Sequence, residues 1–245
     1  MEWNAYADEL RELLGLKGQP VAVTFSMEPV PGGLGGKHRV CDAFVKARDG
    51  KTIVLDASNS ACGGGTTYLG LAPPATGEAD RALKEFLVNG EKLYATVAAF
   101  HRVRSLSVPP PTGLADHVVF APLASAALRP DLVLFIVNAE QASRLVTLEM
   151  YETGIPPKID MSGATCHQAV GYPIMTGELN VSLMDYTSRR SKAYTSSDLI
   201  VTIPYHRVPA VMRSIGGCTA GRATFEVPAR MRRSLDSEAL RDLEE

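Results

Sequence analysis

An α/β fold is predicted for this chain of 245 residues. Three observations carry the prediction. Short apolar runs of strand length alternate with amphipathic segments of helical spacing. Gly- and Pro-rich turns separate them. Hydrophobic residues make up 45% and charged residues 21%, as in an ordinary globular protein. A mixed α+β arrangement fits the same pattern. The length suits a single compact unit, 1–245, with candidate halves 1–110 and 111–230 and a C-terminal helix at 234–245.

The elements follow in order. Trp3, Tyr6, Ala7, Leu10, Leu13 and Leu14 recur at helical spacing, and Gly15 and Gly18 end that helix. Residues 20–25 read as a buried strand. Residues 28–36 hold two prolines and four glycines and form a loop. A short helix is predicted at 41–48, closed by Gly50, then a strand at 52–56 and a polar turn at 58–67 containing Cys62 and Gly63 to Gly65. A helix at 80–88 and a strand at 93–100 precede the connector Pro109, Pro110 and Pro111. Strands are expected at 117–120 and 131–137. The runs Val21–Phe25 and Leu132–Val137 are apolar without alternation, as strands covered on both faces should be. The amphipathic segment 139–152 sets Ala142, Leu145, Val146 and Met150 on one side, and Pro156 and Pro157 stop it. A helix begins near Cys166. Strands at 179–183 and 199–203, a helix at 208–215, a last strand at 223–227 and a charged helix complete the chain.

The formal charge is -2 with no basic stripe, which argues against nucleic acid as a partner. The first sixteen residues carry Glu2, Asp8, Glu9, Arg11 and Glu12, unlike a secretion signal. The longest apolar runs fall far short of a membrane span. A cytoplasmic protein with reduced thiols is therefore expected.

The four cysteines, Cys41, Cys62, Cys166 and Cys218, are the best clue to function. None forms a Cys-x-x-Cys pair, so spacing alone is a weak metal signal. Their contexts say more. Cys62 precedes three glycines, and Cys218 follows Gly216 and Gly217. Glycine lets the backbone approach a bound group and leaves N–H groups to point at an anion, which singles out Gly63 and Gly64. Cys41 and Cys166 fall at expected helix starts, where the dipole favours thiolate. The competing reading is that a cysteine is simply a small buried hydrophobe.

Other constellations are weaker. His101, His117, His167 and His206 are scattered. Cys166 and His167 are neighbours that point in different directions on a helix. The glycine run before Thr66 and Thr67 lacks the Lys of a P-loop. Arg189, Arg190 and Lys192 form a positive cluster, with Arg189 the candidate for binding an anionic group. There is no Gly-x-Ser-x-Gly elbow, no His-Glu-x-x-His and no dinucleotide fingerprint.

The halves share an order of parts: strand, Cys-bearing short helix, glycine, strand, polar loop. Cys41 and Cys62 lie in the first series, Cys166 and the 184–190 loop in the second. Such an echo arises by duplication or by chance. Under duplication, the Cys-bearing segments would face each other across a pseudo-two-fold axis.

The run from Leu14 to Phe25, Cys41-Asp42-Ala43, Cys62-Gly63-Gly64, the 130–135 and 138–141 segments, Cys166, the 177–183 segment and Ile203-Pro204 together resemble the domain-of-unknown-function 169 family of bacteria and archaea. The resemblance spans nearly the whole chain. It implies a metal or iron–sulfur site built from the cysteines. In that family pattern a cysteine is expected where this chain has Asp185. The implied ligand set is therefore Cys41, Cys62 and Cys166 with Asp185, or with Cys218 as the fourth thiolate, around a 4Fe-4S cluster.

Three functions are compatible with these residues. The first is an iron–sulfur protein with redox or Lewis-acid chemistry on a small molecule. The second is a metal-free thiol enzyme using Cys62 or Cys166, with Arg189 binding an anionic substrate. The third is a non-catalytic small-molecule or anion-binding protein.

Overall fold

The computed structural model describes residues 2–191 and 194–222; the expected strand at 223–227 and helix at 234–245 lie outside the described residues. The architecture is mixed α/β. Six strands are described: β1 (Val21–Ser26), β2 (Ile53–Leu55), β3 (His117–Pro122), β4 (Leu132–Val137), β5 (Asn180–Ser182) and β6 (Leu199–Pro204). They form one sheet in the order β2-β3-β1-β4-β6-β5, and every pairing is antiparallel.

The strands are rich in β-branched and aromatic residues, and successive side chains take opposite faces. Val21, Val23, Val118, Phe120, Leu132, Leu134 and Ile200 join one apolar cluster. Ala22, Val119, Ala121, Val133, Phe135, Val201 and Ile203 join the other. Both faces are buried, which is why these strands show no polar alternation.

Helices α1 (Glu2–Leu14), α6 (Ala139–Met150) and α9 (Val208–Ser214) cover one face. Asn138 opens α6 with a full capping box to Gln141, whose side chain also reaches the Leu14 carbonyl at 2.7 Å. The other face carries α2 (Val40–Arg48), α3 (Gly63–Tyr68) and α7 (Tyr172–Thr176). A π-helical turn, His167–Gly171, leads into α7, and the helical path begins at Thr165. Phe44 of α2 meets Phe120 of β3 edge-on at 5.5 Å.

Two further helices, α4 (Gly77–Glu85) and α5 (Val97–Leu106), form an arm between α3 and β3; α8 (Tyr186–Ser191) follows β5. The strand expected at 93–100 is not formed. Thr96 accepts the Ala99 N–H at 3.1 Å and starts α5 instead. Likewise the turn expected at 58–67 already contains the start of α3.

The sheet order carries a pseudo-two-fold relation. From the central β1–β4 pair, the sheet grows outward through β3 to β2 on one side and through β6 to β5 on the other. Details repeat. Pro122 and Pro204 end β3 and β6 and lead into 3₁₀ turns. Leu123 N–H donates to the Pro20 carbonyl at 2.8 Å, and Tyr205 N–H to the Asp131 carbonyl at 2.8 Å. Gly50 and Gly177 close the corresponding helices at φ 94° and 68°, where a side chain would be strained. Among the described residues, no helix is long and apolar enough to cross a membrane.

Candidate functional site

The pseudo-two-fold relation pairs the four residues that the family resemblance implies as ligands. Cys41 is the second residue of α2. Cys166 is the second residue of the helical path that begins at Thr165. Cys62 is the N-cap of α3, in extended conformation, and its Sγ accepts the Gly65 N–H at 3.4 Å. Asp185 precedes α8, and its Oδ1 accepts the Ser188 N–H at 2.7 Å. Cys41 therefore corresponds to Cys166, and Cys62 to Asp185.

These residues come together on the second face of the sheet. Cys166 is 8% exposed. Burial pushes its thiol well up from the ordinary range, and nearby Cys62, Cys41 and Asp185 push it further. Tyr194 is also pushed well up by burial, with Cys41 and Cys166 adding to the effect; its hydroxyl donates to the Cys41 carbonyl at 2.9 Å. Asp185 is tied to the residue before Cys166. Its Oδ2 accepts from Thr165 Oγ1 at 2.6 Å and from Ser188 Oγ at 2.9 Å, and its N–H donates to Thr165 Oγ1 at 2.8 Å. Met184, just before it, has φ 63°, a left-handed conformation costly for a side chain of this size.

Of the glycine run, Gly65 faces the site. A Cβ there would stand 2.7 Å from Val40 Cγ2 and 3.4 Å from Cys166 Sγ. Gly63 and Gly64 have open space at the Cβ position. Arg189 spends its guanidinium on the chain itself. Nη1 donates to the carbonyls of Thr195 and Ser196 at 3.1 and 3.0 Å, and Nη2 to those of Leu183 and Asp198, both at 2.7 Å. Cys218 lies across the sheet, 3% exposed, in the cluster with α6 and α9. None of the four cysteines is in a disulfide.

His167 is fully buried. Its Nε2 accepts the Val108 N–H at 3.0 Å, so Nδ1 carries the proton toward Asp160 Oδ2 at 3.2 Å and Ser162 Oγ at 2.9 Å. Burial pushes its pKa down. With both nitrogens engaged, this ring is a strut between the 160–162 segment and the chain after α5, not a general base for a thiol.

A cleft of about 580 Å³ opens beside Asp185. Tyr94 and Leu106 line it from the arm, Asp160 and Met161 from the segment after α6, and Met184 and Asp185 from the segment after β5. Sequence reasoning missed Gly65, Thr165, Tyr194 and this cleft. The left-handed Met184 and the pairing of Asp185 with Thr165 leave no local signal.

Three thiols and a carboxylate are donor types that suit soft-metal chemistry. Among the described residues, no group of three or more His, Cys, Asp or Glu side chains is arranged to hold one metal ion. A polynuclear cluster makes a different demand, since each protein ligand meets a different iron.

A profile of the domain-of-unknown-function 169 family, described as "Uncharacterised ArCR", matches residues 9–214. The chain is 27% identical over 222 residues to the uncharacterized protein MJ0308 of Methanocaldococcus jannaschii, covering 85% of this chain and 91% of that one. No solved structure matches. The match runs from within α1 into the end of α9, across both pseudo-symmetric halves and all four paired residues, and on that extent the chain belongs to the domain-of-unknown-function 169 family.

Proposed function

We propose that Cys41, Cys62, Cys166 and Asp185 hold an iron–sulfur cluster of the 4Fe-4S type, and that the protein serves redox or Lewis-acid chemistry on a small molecule. The observation that carries this reading is the pairing of the four residues by the pseudo-two-fold relation, Cys41 with Cys166 and Cys62 with Asp185. Four donors delivered by four helix starts suit a cofactor with one ligand per iron. A bound cluster supplies electron transfer or, at an incompletely ligated iron, Lewis acidity. The Gly65 N–H, already donating to Cys62 Sγ, would stabilise that sulfur as thiolate. The burial of Cys41 and Cys166 would keep water from two of the thiolates. Asp185 would leave its iron the most exchangeable, because a carboxylate binds soft iron less firmly than a thiolate.

The test is anaerobic reconstitution of the whole chain with ferrous iron and sulfide, followed by iron and acid-labile sulfide assays. About four irons per chain are expected, with broad visible absorption. Iron retained by neither the wild type nor Asp185→Cys would overturn the reading.

A metal-free thiol enzyme is the second reading, favoured by one observation: Cys62 is only partly buried and its sulfur accepts a backbone N–H. In that case Arg189 is not its anion-binding group, because four carbonyls already hold the guanidinium.

A further inference from the structure

The two halves are not equal around the site, and their inequalities meet at the cleft. Between α3 and β3 the first half inserts the arm of α4 and α5; between α8 and β6 the second half has only residues 192–198. Between β4 and Thr165 the second half has α6 and the 151–164 segment, where the first half has only residues 27–39 between β1 and α2. The cleft lies between these two additions, with the Asp185 segment at its side.

Its chemistry is one-sided. Leu93, Leu106 and Met161 give it an apolar lining, and Tyr94 adds an aromatic surface. Two carboxylates line it, Asp160 and Asp185, and no Lys, Arg or His is among its described lining residues. The hydrogen bonds and ion pair described for the Asp160 carboxyl, from Ser162 N–H at 3.2 Å and His167 Nδ1 at 3.2 Å, both fall on Oδ2. An anion entering here would meet two carboxylates and no cationic side chain in the lining. A cation would meet the Asp160 carboxylate, an aromatic ring and the negative charge of Asp185, whose oxygens Thr165 and Ser188 already hold. The volume is that of a small-molecule site.

We propose that this cleft binds a small organic cation with an apolar body, an amine rather than a carboxylate or phosphate. The inference deepens the functional reading above by naming the class of molecule that its Asp185 side would face. Its test needs no iron, so the two can fail separately.

The probes are naphthylmethylamine, a cation at neutral pH, and naphthoate, an anion of the same ring system, titrated into the iron-free full chain by calorimetry at low salt. Saturable binding of the amine is expected, at least about tenfold tighter than the carboxylate. Met161 is 53% exposed, so Met161→Lys keeps the fold while adding a positive charge to the lining. That variant should weaken the amine by at least about tenfold and narrow its advantage over the carboxylate. Asp160→Asn should weaken the amine several-fold. The proposal is overturned if the amine shows no saturable binding, if naphthoate binds as well or better, or if Met161→Lys leaves amine affinity unchanged. Failure of iron incorporation would not alter any of these results.

Discussion

Asp185 stands to α8 as Cys62 stands to α3: each precedes a six-residue helix and accepts the N–H three residues on, at 2.7 Å for Asp185 Oδ1 and 3.4 Å for Cys62 Sγ. A carboxylate therefore occupies the place that the pseudo-two-fold relation gives to a thiol. Asp185→Cys should complete a four-thiolate set. After anaerobic reconstitution, the variant should retain its visible absorption in air for at least several times longer than the wild type, because thiolate holds soft iron more firmly than carboxylate. Equal or faster bleaching would count against Asp185 as the fourth ligand.

Cys218 provides the contrasting case. It is buried across the sheet from the other three thiols. Cys218→Ala should cost about 1 kcal/mol in stability, as a small cavity does, and leave the iron stoichiometry unchanged. Loss of iron in this variant would make Cys218 a ligand and displace Asp185.

Gly65 and its neighbours should differ sharply. Gly65→Ala puts a methyl 2.7 Å from Val40 Cγ2 and against Cys166, so it should destabilise the chain by about 1–3 kcal/mol in chemical denaturation. Gly63→Ala, with open space and an ordinary backbone conformation, should be within about 0.5 kcal/mol of wild type. Similar effects at both positions would mean that α3 does not pack against α2 as described.

Thiol reactivity in the iron-free chain should follow burial. Cys62 is partly exposed, while burial, with Cys62, Cys41 and Asp185 adding to it, holds the Cys166 thiol well above its ordinary range. Brief iodoacetamide treatment at neutral pH, read by peptide mass spectrometry, should label Cys62 well before Cys166. Faster labelling of Cys166 would contradict its burial.

Glu149 offers a test of fold electrostatics away from the site. Its side chain is buried at 2.6 Å from Arg207, and Oε2 has no hydrogen-bond partner. Burial raises its pKa, and the pull of Arg207 does not overcome it. The folded chain thus keeps a proton that the unfolded chain releases near pH ~4.3. This contribution is fully present below that pH and is lost as pH rises through the folded value. Glu149→Gln lacks it. The melting temperature of the variant relative to wild type should therefore climb between about pH 4 and about pH 7. A flat or falling difference would show that the Arg207 pair dominates.

Much of the fold was legible because apolar runs and helix punctuation are local. The runs at 20–25, 131–137 and 199–203 became β1, β4 and β6, and the amphipathic 139–152 segment became α6. The 93–100 segment misled because apolar residues of strand type do not reveal that Thr96 will cap a helix. The antiparallel order of the sheet was not legible either, since strand pairing depends on contacts distant in sequence.

The site divides in the same way. Residue chemistry marked Cys41, Cys62 and Cys166 as soft donors at helix starts, and the family pattern drew attention to Asp185. The echo of the two halves set Cys218 apart, since it lies outside it, but a thiol's chemistry is the same on either face of a sheet. Strand register and helix packing put Cys166 in one apolar cluster and Cys218 in the other. Sequence composition likewise marked Arg189 as an anion binder, but whether a guanidinium is available depends on what surrounds it. Here the backbone turns four carbonyls toward it. The sequence by itself determined which side chains can do chemistry. Tertiary structure decided which of them meet, because burial, close approach and hydrogen-bond satisfaction are set by contacts between segments that the sequence keeps far apart.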